Sequence, residues 1–286
     1  MLATFIPAFL ITFREALEAA LIVVIVASYL KKIGKEKLHR YVYLGVIVAI
    51  MLSLLLGVSI FAVYGQLQSP AEEIFEGVAA LTATAVLSYM IFWMAKSARK
   101  IRAVVEKKID MAVTKGQMFG IVFLSFVAVF GEGVETVLFL TTLAFADVWA
   151  TVAGLVVGCS IIASLAFVLY KSIYRLNIQK VFQYSSVLLI VFAAGLAGYG
   201  VHELLEAGEV LGIQFGVLGG HAFNVNPPLN PDGSYPPLHE KGAIGSIFAA
   251  LVGYDGNPEW LRVIAYISYW LVVGVYAFRS FMKEQA

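Results

Sequence analysis

The sequence predicts an all-α integral membrane protein: seven transmembrane helices, arranged as a 3+3 inverted repeat plus one C-terminal helix, with the N-terminus outside and the C-terminus inside. Three observations carry this. The 286 residues are 60% hydrophobic and only 14% charged, with a mean hydropathy of +0.86, whereas soluble domains hold about 25% charged residues. Seven long apolar stretches are separated by connections that alternate between basic and nearly cation-free. A Glu-x-x-Glu pair interrupts the middle of two of those stretches, at 15/18 and 132/135.

The stretches are 4–30, 41–65, 73–95, 117–145, 148–170, 181–207 and 260–281. Each reaches or approaches the roughly 20 residues that a helix needs to cross the hydrocarbon core. No barrel-like alternation competes, and only helices and closed barrels satisfy their backbone in lipid. Lys31, Lys32, Lys35, Lys37 and Arg40 separate the first two stretches. Lys96, Arg99, Lys100, Arg102, Lys107, Lys108 and Lys115 follow the third. Lys171, Arg175 and Lys180 follow the fifth, and Arg279 and Lys283 the seventh, while the opposite side holds only Lys241 and Arg262. The positive-inside rule then fixes the orientation. The domain reading is a first three-helix repeat over 1–95, a basic cytoplasmic linker over 96–115 and a second repeat over 116–207. An outer loop over 208–258 and a seventh helix with its tail over 259–286 complete it. Residues 98–112 read as a short interfacial helix. The outer loop, with Pro227, Pro228, Pro231, Pro236 and Pro237, reads as irregular, with a short helix near 244–252.

Composition also excludes. One cysteine, Cys159, rules out an intramolecular disulfide and a thiolate-rich metal site. The net charge of +1 hides a strong segregation by loop, so the balance itself says nothing about nucleic acid, and no nucleic-acid partner is expected. No basic residue precedes the first apolar run, and the run carries charges, so a cleaved signal peptide is not expected.

The chemistry lies in the charges. An ionised group near the bilayer midplane costs on the order of 3 kcal/mol or more, and such groups generally serve transport or a bound ion. Residues three apart share a helix face, so Glu15 and Glu18 point together, as do Glu132 and Glu135. If the two helices cross at the repeat axis, four carboxylates converge. Arg14 reaches Glu18 at the i, i+4 spacing, and four glutamates against one arginine leave −3 when all are ionised. Like charges in a low dielectric protonate unless a cation enters, and carboxylate oxygens suit hard cations. A structural tie between helices and a metal-free proton relay are the other readings of these residues. Gly131 and Gly133 allow either close helix approach or a local break that exposes carbonyls. Thr12 and Thr136 are further candidate oxygen ligands. At the outer ends, Glu72, Glu73, Glu76, Asp147, His202, Glu203, Glu206 and Glu209 form an acidic vestibule that would concentrate cations. Glu76 and Glu206 are expected deepest among them.

Arg-Glu-Ala-Leu-Glu at 14–18 resembles the Arg-Glu-x-x-Glu motif of the high-affinity iron permeases, the oxidase-dependent iron transporters. Their bacterial members are permease subunits of ferrous- and elemental-iron uptake systems. Gly-Glu-Gly-Val-Glu at 131–135 sits where that family carries a second copy. The stretches 72–77, 90–96, 194–197, 202–208 and 252–254 are similar as well. The resemblance implies a seven-helix plasma-membrane permease that carries iron on Glu15, Glu18, Glu132 and Glu135, with Arg14 as the motif's basic member. It also implies an extracytoplasmic partner that oxidises or delivers iron, and no permanently bound cofactor. Gly131 replaces the familial arginine, which leaves the site one charge more negative and opens the alternative of another divalent or heavy-metal cation. An intramembrane di-iron enzyme is disfavoured, because that chemistry pairs glutamates with Glu-x-x-His motifs. None of His39, His202, His221 and His239 follows a glutamate by three.

Overall fold

The computed structural model describes residues 2–97, 101–114, 118–171 and 178–277. Arg99, Lys100, Lys115, Arg175, Arg279 and Lys283 of the charge pattern lie outside the described residues. Among the described residues nine α-helices follow in order: α1 Leu2–Lys32, α2 His39–Tyr64, α3 Ala71–Ser97, α4 Ile101–Thr114, α5 Met118–Ala146, α6 Val148–Lys171, α7 Ile178–Val210, α8 Gly245–Val252 and α9 Trp260–Tyr269. A π-helical turn, Trp270–Gly274, prolongs α9. No strand forms among the described residues, only an isolated bridge between His221 and Glu259.

Six helical segments are long and apolar enough to cross a membrane: those of α2, α3, α5, α6 and α7, and Trp260–Ala277. Helix α1 has 31 residues, about 46 Å of helix, but places Arg14, Glu15 and Glu18 near its middle. The two short helices expected from sequence are present, as α4 and α8.

The packing is paired. Helix α2 lies along α5, α6 along α1, and α3 along α7, while α1 and α5 meet at the centre. Small residues set these distances, as they do in helix pairs that lack a hydrophobic driving force. A Cβ at Gly45 of α2 would lie 2.4 Å from Val122 O, 3.0 Å from Phe126 N and 3.1 Å from Ser125 Cβ. A Cβ at Gly154 of α6 would lie 2.9 Å from Phe5 O, 2.8 Å from Phe9 N and 2.8 Å from Ala8 Cβ. The three α5 residues each follow their α1 counterparts by 117 positions, the same offset that separates Glu15 from Glu132 and Glu18 from Glu135.

Two short helices flank the central pair. The apolar face of α4 seats Val105 and Ile109 in a cluster with Val26 and Leu30 of α1, Val42 of α2 and Ile121 of α5. It turns Lys107 and Lys108 outward, and Tyr29 donates to Asp110 at 2.7 Å. Helix α8 packs on α1 and α7. It ends at Gly253, whose φ of +73° is left-handed and whose backbone abuts Gly195. Gly195 lies about 22 Å along the axis from the C-terminal end of α7, so the outer loop folds well down the helix rather than lying across its end.

Candidate metal site

Helices α1 and α5 bring three carboxylates together. Oxygens of Glu15, Glu132 and Glu135 all lie within 4.8 Å of one another. Glu18 stands outside this trio, held by Arg14 and within electrostatic reach of Glu135. Arg14 Nη1 donates to Glu15 Oε1 at 2.6 Å, and Nη2 lies 2.8 Å from Glu18 Oε1, close but not aligned as a hydrogen bond. The α1 half is sealed: Glu15 is 0%, Arg14 2% and Glu18 5% exposed. Glu132 and Glu135 on α5 are half-buried. Glu15 Oε2, Glu18 Oε1, Glu132 Oε2 and Glu135 Oε2 are each buried without a hydrogen-bond partner. Unpartnered buried oxygens are costly, and a group converging in this way from two helices could hold a cation.

The glycines resolve differently from one another. Helix α5 runs unbroken through both, so of the two readings of these glycines the local break is the one that does not occur. Gly133 allows close approach instead: a Cβ there would lie 2.1 Å from Ser53 Oγ of α2. Gly131 is exposed, with nothing within 4 Å of the place where a Cβ would sit. Thr136 donates to the carbonyl of Glu132 at 2.7 Å and is turned onto its own backbone. Thr12 Oγ1 is buried without a partner.

A second acidic cluster lies about 21 Å farther out along α3, the distance from Met90 beside Arg14 to Glu76. The Tyr64 hydroxyl lies 2.8 Å from Glu72 Oε1 and 2.7 Å from Glu76 Oε1. Tyr199 donates to the other oxygen of Glu76. Glu76 and Glu203 are each 9% exposed. Glu206 is 56% exposed, so Glu203 and not Glu206 accompanies Glu76 in the interior. Helix α7 stays packed there, with Leu205 and Ala207 buried, but Glu206 is on its exposed side and lies 3.8 Å from His202. Ligand atoms of His202, Glu203 and Glu206 lie within 4.8 Å of one another. His202 also contacts Glu259 at 3.0 Å. Burial pushes the Glu259 carboxyl up, but His202, its own backbone N–H and Arg262 outweigh that and hold it at about 2. Glu73 keeps one buried oxygen without a hydrogen bond, and Glu209 is exposed. Asp147 accepts from the backbone N–H of Ala150 at 3.0 Å; that bond caps α6 and holds the carboxyl below its ordinary range.

Sequence reasoning missed Tyr64, Tyr199 and Glu259. A tyrosine at the end of an apolar stretch reads as an interface aromatic. Only the spacing of Tyr199, four before Glu203, hinted that it faces the acidic cluster.

The iron permease FTR1 family model matches residues 5–279. The chain is 38% identical over 276 residues to the ferrous iron permease EfeU of Yersinia pseudotuberculosis serotype I, covering 94% of this chain and 90% of that one. It is 33% identical over 278 residues to the ferrous iron permease EfeU of Escherichia coli O6:K15:H31, covering 96% and 95%. An uncharacterised protein of Archaeoglobus fulgidus is 38% identical over 259 residues, covering 91% and 89%. No solved structure matches the chain.

Proposed function

The chain belongs to the iron permease FTR1 family, and on that premise we propose that it moves iron inward across the plasma membrane through a site that α1 and α5 build between them. It is a multi-pass membrane protein, with six helical segments able to span a bilayer. In the reading proposed here α1 is the seventh span, and its three charges are the reason it falls short on apolarity alone. The N-terminus lies outside, in keeping with the basic connections after α1, α3 and α6.

One observation carries the reading above the others. Glu15, Glu132 and Glu135 converge from two helices deep in an apolar bundle and present oxygens that no protein donor satisfies. An all-oxygen, strongly negative site fits a hard cation. The structural-tie reading leaves those oxygens unexplained, since Arg14 is committed to Glu15 and Glu18. The matched packing of Gly45 and Gly154 at one constant offset supports the inverted repeat, with the site on its axis as in other transporters so built. Iron is the cargo and no resident cofactor is needed. The outer cluster of Glu72, Glu73, Glu76, His202, Glu203 and Glu206 serves as the mouth, and the loop between α7 and α8 receives an iron-oxidising or iron-delivering protein. The relatives named ferrous iron permease support iron over other metals. Gly131 keeps a divalent or heavy-metal cation as the second reading, because the site lacks one familial positive charge.

Radio-iron uptake into proteoliposomes tests the reading, with Fe(III) chelate and Fe(II) plus ascorbate supplied in parallel. Wild-type protein takes up one form, and Glu132→Gln abolishes uptake while inserting normally. Undiminished uptake by Glu132→Gln would falsify the carboxylate site.

A further inference from the structure

What holds Arg14 is only partly on its own helix. Besides the bond to Glu15, Nη1 reaches Met90 Sδ of α3 at 3.3 Å. Nε and Nη2 make no hydrogen bond. Among the described residues, Met90 is thus the only side chain off α1 that accepts a hydrogen bond from the guanidinium. Met90 is 5% exposed and belongs to an apolar cluster with Ala8, Ile11, Leu87 and Ile91. Leucine would fill that space about as well. What leucine lacks is an acceptor, and a thioether, although weak, is a polarisable one.

We propose that Met90 is a positioning residue for the transported cation: its sulfur pins Arg14 onto Glu15 and Glu18, so that Glu132, Glu135 and the second oxygen of Glu15 stay open to the ion. The proposal rests on the reading of the α1–α5 cluster as the transport site. Without the sulfur, the guanidinium carries four N–H groups short of hydrogen-bond acceptors, one more than with it, beside two α5 carboxylates with unpartnered oxygens. It pivots toward them and becomes a competing cation at the site. Helix α5 has Gly131 where the motif's arginine would stand, so the placement of Arg14 sets the charge of both halves. The sulfur lone pair faces the guanidinium, which leaves the ligand set for the ion all oxygen.

The test compares half-saturation and maximal rate of iron uptake in proteoliposomes for wild type, Met90→Leu, Met90→Gln and Glu132→Gln, with thermal melts as the control for folding. Met90→Leu raises the half-saturation concentration about three- to tenfold, as loss of one weak bond to a charged group does, with maximal rate within about twofold and an unchanged melt. Met90→Gln, whose amide oxygen accepts from Arg14, restores wild-type half-saturation. Unchanged half-saturation in Met90→Leu, or equal impairment of the Leu and Gln variants, overturns the positioning role while an inactive Glu132→Gln keeps the site. Uptake that survives Glu132→Gln overturns the site reading, and the positioning role with it.

Discussion

Replacing Arg14 with glutamine removes the only cation in the central cluster. Two ion-pair contacts go with it, 2.6 Å to Glu15 and 2.8 Å to Glu18. The carboxylates left behind are 0% and 5% exposed, so water cannot take over as counter-charge. Breaking a buried pair from one side costs about 3–5 kcal/mol, chiefly because the remaining charge is uncompensated. For a chain of this size that is a fall of about 6–15 °C in melting temperature. The second carboxylate allows a sharper test. If the cost is stranded charge, neutralising one carboxylate relieves it, and Arg14→Gln with Glu18→Gln is less damaging than the two single variants summed. Coupled neighbours of this kind typically show interaction energies of about 0.5–3 kcal/mol. The assay is thermal unfolding of the purified protein in one detergent, read as a complete four-variant cycle. Additivity within about 0.5 kcal/mol would mean that Arg14 and Glu18 do not share charge, and the ion pair would carry no energy.

Two further predictions concern glycines. Gly131→Arg should fold normally, since nothing lies within 4 Å of the new Cβ. One added positive charge about 8 Å from the ion is worth on the order of 2 kcal/mol more against a trivalent than a divalent ion at an effective dielectric of 20. The ratio of Fe(III) to Fe(II) uptake should drop by about thirtyfold, and an unchanged ratio would mark the position as passive. Gly253→Val should dislodge α8. The left-handed φ alone costs about 1–2 kcal/mol, and the Cβ would lie 2.4 Å from Gly195 Cα. Limited proteolysis after Leu251 or Tyr254 should quicken, and a cleavage rate equal to wild type would mean that the loop tolerates the side chain.

Much of this was legible in the sequence because membrane helices announce themselves. Their length follows from bilayer thickness, and buried charges are rare enough that Glu15, Glu18, Glu132 and Glu135 stand out against their surroundings. The spacing of each pair even predicts a shared face. What spacing could not give was which members of the two pairs would meet. That depends on the crossing of α1 and α5, which no residue spacing within either helix encodes. It also depends on Arg14, which binds its own helix and withdraws Glu18 from the trio. Burial at the outer end was harder still. Glu203 and Glu206 share a chemistry and lie three apart, yet Glu203 is enclosed while Glu206, between the buried Leu205 and Ala207, faces out, and spacing alone does not say which.

The two halves of the central site are therefore equivalent in sequence position and unequal in state. On α1 the arginine satisfies one oxygen of Glu15, holds Glu18, and is itself tied to Met90, so that half is dry and fixed. On α5 the glycine leaves Glu132 and Glu135 half-buried beside open space. On the proposed reading, a cation arriving between them meets a rigid partner on one side and two freer carboxylates on the other. Carboxylates free to turn can exchange one ligand at a time, which lets an ion bind strongly enough to leave water and still depart. Two copies of the arginine would tie down both halves, and none would leave four glutamates to protonate together. On the proposed reading the asymmetry gives fixed charge to α1 and exchange to α5. It requires that neutralising Glu135 slow release more than it weakens binding, whereas neutralising Glu15 must weaken binding first.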